Sequence, residues 1–239
     1  MHIPDGLLSV EVSGVTAALA IAGLGFGVWR QKREAHKLDA SHGQEEDPLL
    51  LLPVVAAFVF AAQMLNFPVG LGVSAHFLGA ALAAVLLGPW NAGLVLTLVL
   101  VPQMLFFADG GATALGANTL NMGVVGGIGA GLALSGIAKF SGTSKRSLVI
   151  ASGVAAWLSV MAATLAVCLQ VALSGKLGFI EVFATLGSFN AIAGIGEAVI
   201  TAAAVGYIAH ERPDLIRGWP KPLANTSDAS SKVQAEVSA

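Results

Sequence analysis

The sequence predicts an all-α polytopic membrane protein of about seven transmembrane helices, with the N-terminus outside and the C-terminus cytoplasmic. Three observations predict it. Hydrophobic residues fill 56% of the 239 positions and charged residues only 11%, with a mean hydropathy of +0.80. Soluble domains carry about 25% charged residues, so this chain could not clothe a water-facing surface. A soluble enzyme and a disordered chain are both excluded. Seven apolar runs follow one another, each bounded by polar or Gly/Pro punctuation. The basic residues are distributed asymmetrically among the connecting segments.

A spanning helix needs roughly 20 apolar residues. The first run covers 7–28 and the second 49–65. The third, 76–87, is short, Gly/Ala-rich and ends at Gly88-Pro89, a strong turn signal. The fourth, 92–108, contains Pro102, a predicted kink. The last three cover 118–140, 147–173 and 183–209. An external N-terminus places every Lys and Arg except Lys176 on the cytoplasmic side, as the positive-inside rule requires. The charged stretch 30–47 then reads as a cytoplasmic linker inside a membrane domain of residues 1–210. Residues 211–239, rich in Ser, Ala, Asn and Pro toward the end, read as a disordered cytoplasmic tail. The first run is not a cleavable signal peptide, because no positive charge precedes Leu7. Met1 is therefore expected to remain the first residue. A net charge of −2 leaves no basic surface for nucleic acid, and a lone cysteine, Cys168, excludes a disulfide framework within the chain.

The N-terminus carries the sharpest chemistry. A chain starting Met1-His2 presents an α-amine, an amide nitrogen and an imidazole in succession. Binding through all three closes a five-membered and then a six-membered chelate ring, nearly in one plane. Square-planar nitrogen ligation is what Ni(II) and Cu(II) prefer. Of the five histidines, only His2 and His76 fall on the outer side, so His76 is the candidate fourth ligand. An isolated Met-His start says little by itself, and a histidine entering a helix also serves as an ordinary hydrogen-bonding residue.

Six ordered segments add to this reading. They are Met1-His-Ile-Pro-Asp-Gly-Leu-Leu-Ser9, Ala61-Ala-Gln-Met-Leu-Asn-Phe-Pro68, Ser74-Ala-His-Phe-Leu-Gly79, Leu87-Gly-Pro-Trp90, Phe107-Ala-Asp-Gly-Gly-Ala-Thr-Ala-Leu-Gly-Ala-Asn118 and Gly194-Ile-Gly-Glu-Ala-Val-Ile-Thr201. Over roughly residues 1–210 the chain resembles the CbiM/NikM family, the substrate-capture membrane subunits of energy-coupling factor transporters for cobalt and nickel. The resemblance implies seven spans with an external N-terminus and a metal bound by the Met1 amine, the His2 amide and imidazole, and His76. Metal binding is expected to release protons from these groups, so affinity should fall on acidification. The resemblance also implies a CbiQ-like coupling subunit, CbiO-like ATPases and a small CbiN/NikN-like companion, in a prokaryotic plasma membrane. Ni2+ or Co2+ is then the transported substrate and no catalytic cofactor is expected. The Ile3-Pro-Asp-Gly start and the context of His76 are nearer the nickel branch, and the Irving–Williams order also ranks nickel above cobalt. Family members often carry a histidine where Asn190 stands, which puts an auxiliary ligand there in doubt.

Other polar residues are candidates for orienting the ligands. Asp109, Asn118 and Asn121 read equally as supports of His2 or His76 and as an ordinary polar turn with its cap. Ser74 is a candidate support or cap of the third span, and Asn190 a candidate hydrogen-bonding partner. Glu197, an intramembrane carboxylate, is costly and so a functional candidate. Gln63, Gln103 and Asn66 are its candidate partners; a helix brace and a role in metal passage stay open. The chain has no Gly-x4-Gly-Lys-Ser/Thr loop, so an ATP-driven motor must be another chain and the protein itself is no enzyme. The alternative is a self-sufficient secondary metal transporter coupled to protons through Glu197. An intramembrane metalloenzyme lacks a HExxH-like pair.

Overall fold

The computed structural model describes residues 1–39, 51–70 and 73–220, and the side chains of 34–39, 68–70 and 74 lie outside the description. Among the described residues seven main helices follow in chain order: α1 (Val10–Asp39), α2 (Leu52–Gln63), α3 (Ala80–Leu87), α4 (Pro89–Phe107), α5 (Leu115–Ser141), α6 (Lys145–Leu173) and α7 (Phe179–Glu211). A short antiparallel hairpin, β1 (Asn66–Gly70) and β2 (Val73–His76), separates α2 from α3 and pairs Asn66 with His76. The hairpin was not expected.

Five of the helices, α1 and α4 to α7, are long and apolar enough to cross a membrane. The protein is a multi-pass membrane protein. The other two are shorter. At 1.5 Å per residue the twelve residues of α2 reach about 18 Å and the eight of α3 about 12 Å, against a bilayer core of about 30 Å. The third predicted run is thus not one helix. Its first residue, His76, ends a strand, and the helix begins four residues later, behind Gly79 at φ +74°. All eight residues of α3 are buried.

Sequence explains the ends. Ser9 accepts from the Val12 N–H and starts α1; Ser144 accepts from Ser147 and starts α6. Gly88 at φ +80° followed by Pro89 turns α3 directly into α4. α5 and α7 each widen into a π-helical stretch, at Thr119–Ile128 and Phe183–Gly187. Close packing uses small residues: a methyl on Gly127 would lie 2.9 Å from the Cα of Gly93, so α4 and α5 touch backbone to backbone.

The predicted boundaries shift at two places. Residues 30–39 of the expected linker continue α1, because the helix has no breaker before Asp39, and 40–47 lie outside the described residues. Residues 211–220 are packed, with Ile216 and Trp219 buried. The Gly218 N–H bonds the Val85 carbonyl at 2.8 Å and the Trp219 indole bonds the Thr143 carbonyl at 3.2 Å. Residues 221–239 lie outside the described residues.

The main core gathers α2 to α7 with Ile216 and Trp219 of the segment after α7, and it contains Met1. A second cluster, with Ile3, Leu8, Val73, Ala117, Val171 and Leu186, closes the end of the bundle where the N-terminal segment enters.

Candidate metal-capture site

The first three residues do not lie on the surface. Met1 is 1% exposed, His2 2% and Ile3 0%. The Met1 sulfur lies 3.5 Å from the Thr164 hydroxyl of α6. Thr164 is nine residues before the end of α6, so Met1 sits about 13 Å below that end.

The segment is held like an added strand. Ile3 N–H donates to Asn118 Oδ1 at 2.8 Å, and Asn118 Nδ2 donates to the Ile3 carbonyl at 3.1 Å. That carbonyl also accepts from Gly111 at 2.9 Å. Asp5 accepts from the Ala112 and Thr113 N–H groups at 3.2 and 2.8 Å, and from the Thr113 hydroxyl. The hydroxyl and the Thr113 amide hold the exposed Asp5 carboxyl below the usual range. The 109–114 loop can lie this close because of its glycines. Gly110 has φ +97°, and a methyl on Gly111 would sit 2.3 Å from the Asp5 nitrogen.

His2 and His76 meet edge to face, their ring centroids 4.6 Å apart. His2 Nδ1 faces Asp109, 2.9 Å from Oδ1 and 3.0 Å from its backbone oxygen. The other carboxylate oxygen accepts from Asn66 at 2.8 Å. His76 Nδ1 lies 2.9 Å from the Phe77 carbonyl. The Nε2 atoms of both rings are buried without a hydrogen-bond partner. A buried polar atom left unpaired costs about 1–3 kcal/mol.

The electrostatics favour an uncharged amine and imidazoles beside an ionised Asp109. Burial lowers the Met1 amine from 8.0 to about 4, against the pull of Asp109 and Glu197. Burial lowers His2, although its hydrogen bond to Asp109 opposes the shift. Burial, and then the neighbouring amine and His2, push His76 well down. Burial raises the Asp109 carboxyl, but the His2 and Asn66 hydrogen bonds and the nearby imidazoles outweigh it and hold the group well below its ordinary value. The neutral amine and imidazoles keep lone pairs, and a carboxylate stands behind His2. Among the described residues no group of three His, Cys, Asp or Glu side chains is placed to hold a metal ion.

Of the other predicted supports, Asn190 donates to the Thr164 hydroxyl at 3.0 Å, next to Met1, and lines a cavity of about 390 Å³ with His76 and Glu197. Asn121 does not turn to the N-terminal segment: its amide pairs reciprocally with Gln170 of α6. Ser74 lies in β2 with its side chain outside the described residues. Glu197 bonds none of its three candidate partners. Its oxygens accept the Leu78 and Gly79 N–H groups at 2.7 and 2.9 Å. Asn66 belongs to Asp109 instead, as the hairpin brings it beside the loop. Sequence reasoning missed the part of Asp5 and the convergence on Leu78. The glycine pair Gly110-Gly111 was the available signal for the first, since it announces a close backbone approach.

The sequence model of a family described as "Cobalt uptake substrate-specific transmembrane region" matches residues 2–215. The chain belongs to the CbiM family. Among relatives of this CbiM-family chain, the fused nickel transport protein NikMN of Rhodobacter capsulatus is 34% identical over 239 residues, covering 94% of this chain and 66% of that protein. This chain thus spans about two thirds of the fused relative. The cobalt transport protein CbiM of Sorangium cellulosum is 31% identical over 222 residues, covering 90% of this chain and 94% of the relative. A crystal structure of a truncated transition metal transporter superposes with a TM-score of 0.73 at 32% identity, covering 87% of this chain and 98% of that one.

Proposed function

We propose that this CbiM-family protein captures Ni2+ or Co2+ for an ATP-driven energy-coupling factor importer. One observation carries the reading: two buried imidazoles meeting edge to face, set against a buried N-terminal amine. The relatives named for nickel and for cobalt transport support the cargo class.

The proposed ligands are the Met1 amine, the His2 amide nitrogen, the His2 imidazole and the His76 imidazole. The six-membered chelate ring closes only through Nδ1 of His2, the atom that faces Asp109 in the structure. A half-turn of the ring about χ2 carries Nδ1 off Asp109 and brings Nε2 beside the place it leaves. Asp109 then holds the ring from behind, as carboxylates commonly do for metal-bound histidines. Four nitrogens in a plane favour nickel over cobalt. The charge asymmetry supports an external N-terminus and, with it, a site at the extracellular face. The coupling subunit, the ATPases and a NikN-like companion are separate chains in this proposal; the fused NikMN relatives support the companion.

The secondary-transporter alternative needs Glu197 to exchange protons. Both its oxygens are engaged with backbone N–H groups, which favours a holding role.

The test uses detergent-purified chain with its native N-terminus, elemental analysis and visible absorption. One nickel per chain with a yellow planar spectrum is expected. His2→Ala, His76→Ala and a single residue added before Met1 should each abolish tight binding and leave membrane insertion intact. Normal binding by the extended variant would overturn the ligand set.

A further inference from the structure

Three intramembrane polar side chains take no part in the proposed ligand set, and they converge on one dipeptide. Glu197 of α7 accepts both the Leu78 and the Gly79 N–H. Gln63 of α2 donates to the Leu78 carbonyl at 2.8 Å. Gln103 of α4 donates to Gln63 Oε1 at 3.0 Å. The N–H and carbonyl of Leu78 are thus held by side chains of two different helices. This is the break where β2 gives way to α3, and N–H groups at such a helix start have no intrahelical acceptor. A brace between helices would join side chain to side chain. Glu197 instead grips the backbone two residues past His76.

The chain of bonds also reaches the other histidine. The Gln103 carbonyl accepts the Asp109 N–H at 3.1 Å, and Asp109 holds His2. The support of His76 and the support of His2 are therefore parts of one hydrogen-bonded path across α7, α2 and α4.

We propose that Glu197 is a positioning residue for His76: by pinning Leu78 and Gly79 it sets how far the imidazole reaches toward Met1 and His2, with Gln63 and Gln103 tying that reach to the Asp109 end of α4. The proposal rests on the reading that His76 completes the metal set. Glu197 touches no metal in this account; it acts through the backbone. Extended residues advance at most about 3.6 Å each, so a fixed Leu78 confines the His76 backbone to a small volume.

The test is a double-mutant cycle of E197Q and H76A on the detergent-purified chain with its native N-terminus. Cu2+ serves as the affinity probe, because it binds nitrogen sites more tightly than nickel and keeps the weakened three-nitrogen site measurable. E197Q alone should weaken binding about 10–100-fold, the usual range for groups behind a metal ligand. In the H76A background the same change should cost about twofold or less. The Cu(II) absorption of E197Q should move toward that of H76A. An unchanged affinity in E197Q overturns the proposal. So does an equal loss in both backgrounds, which would mark general damage to the bundle. Should E197Q fail to fold, Gln63→Ala carries the same cycle with the same criteria. Wild-type affinity in H76A alone would sink the ligand reading beneath both, a result distinct from failure of the cycle.

Discussion

At the scale of single residues, the burial of the Met1 amine changes the proton ledger of metal capture. An ordinary α-amine at 8.0 is mostly protonated at neutral pH, and a metal would have to displace that proton. Here the amine is lowered to about 4 and both imidazoles are lowered by burial too, so in the proposed ligand set they would meet a metal as free bases. The amide of His2 is the group left to ionise. Calorimetry of nickel binding in buffers of different ionisation enthalpy should find about one proton released per metal at pH 7. Release of about two would show that the amine is charged before capture. The sequence alone pointed the other way, to protons leaving from all the ligands, because nothing in Met1-His2 announces that the terminus is 1% exposed. The chelate itself was legible, since it follows from bond connectivity. The ring's bond to Asp109 was legible only as a candidate.

The same shift has a sign for the metal-free protein. Between 8.0 and about 4 the undocked terminus binds more protons than the docked one. Docking is therefore strongest at high pH and weakens as pH falls, by about 1.4 kcal/mol per unit inside that window. The lowered imidazoles act in the same direction. Hydrogen exchange at Ile3, whose N–H is bonded to Asn118, should lose protection steadily from pH 7 to 5. A constant protection factor over that range would contradict a buried neutral amine.

At the scale of elements, the 109–114 loop and the start of α5 form the cradle for the N-terminal segment. Gly111→Ala places a methyl 2.3 Å from the Asp5 nitrogen. Overpacking of this kind costs about 1–3 kcal/mol, so nickel affinity should fall roughly 5–150-fold while the helical content stays. Asn118→Ala removes two hydrogen bonds to Ile3, at about 1 kcal/mol each, and should weaken binding by about tenfold or more. Retained affinity in both variants would mean that the segment docks by other contacts. The long helices were readable from apolar run length, and their ends from Ser9, Ser144 and Gly88-Pro89. The hairpin was not. The stretch from Asn66 to Gly79 is apolar and Gly-rich, and run length cannot separate a strand inside a membrane protein from the start of a helix. What decides it is tertiary: Glu197 and Gln63 hold Leu78 before α3 begins, so the chain stays extended through His76.

At the scale of the whole molecule, α3 is too short to span and is closed from below by the segment after α7. A methyl on Gly218 would lie 1.8 Å from the Ala84 carbonyl, and Ile216 and Trp219 are buried beside it. Trp219→Ala should lower the thermal midpoint in detergent markedly, since emptying such a site costs about 3–5 kcal/mol. An unchanged midpoint would show that this segment is not part of the packed body. The sequence placed a boundary at 211 because composition turns polar near there. Two apolar residues, Ile216 and Trp219, were the signal that packing continues.

The deep seat of Met1 also orders the protein's birth. Met1 packs against Thr164 in α6, and Asn190 of α7 completes that corner. More than 160 residues must be made and inserted before the terminus has anywhere to go. Such closure between distant parts of a chain is the slow, late kind of folding step. The segment that begins at Met1 is therefore a late part of the bundle to be seated, docking only once α6 and α7 stand in place.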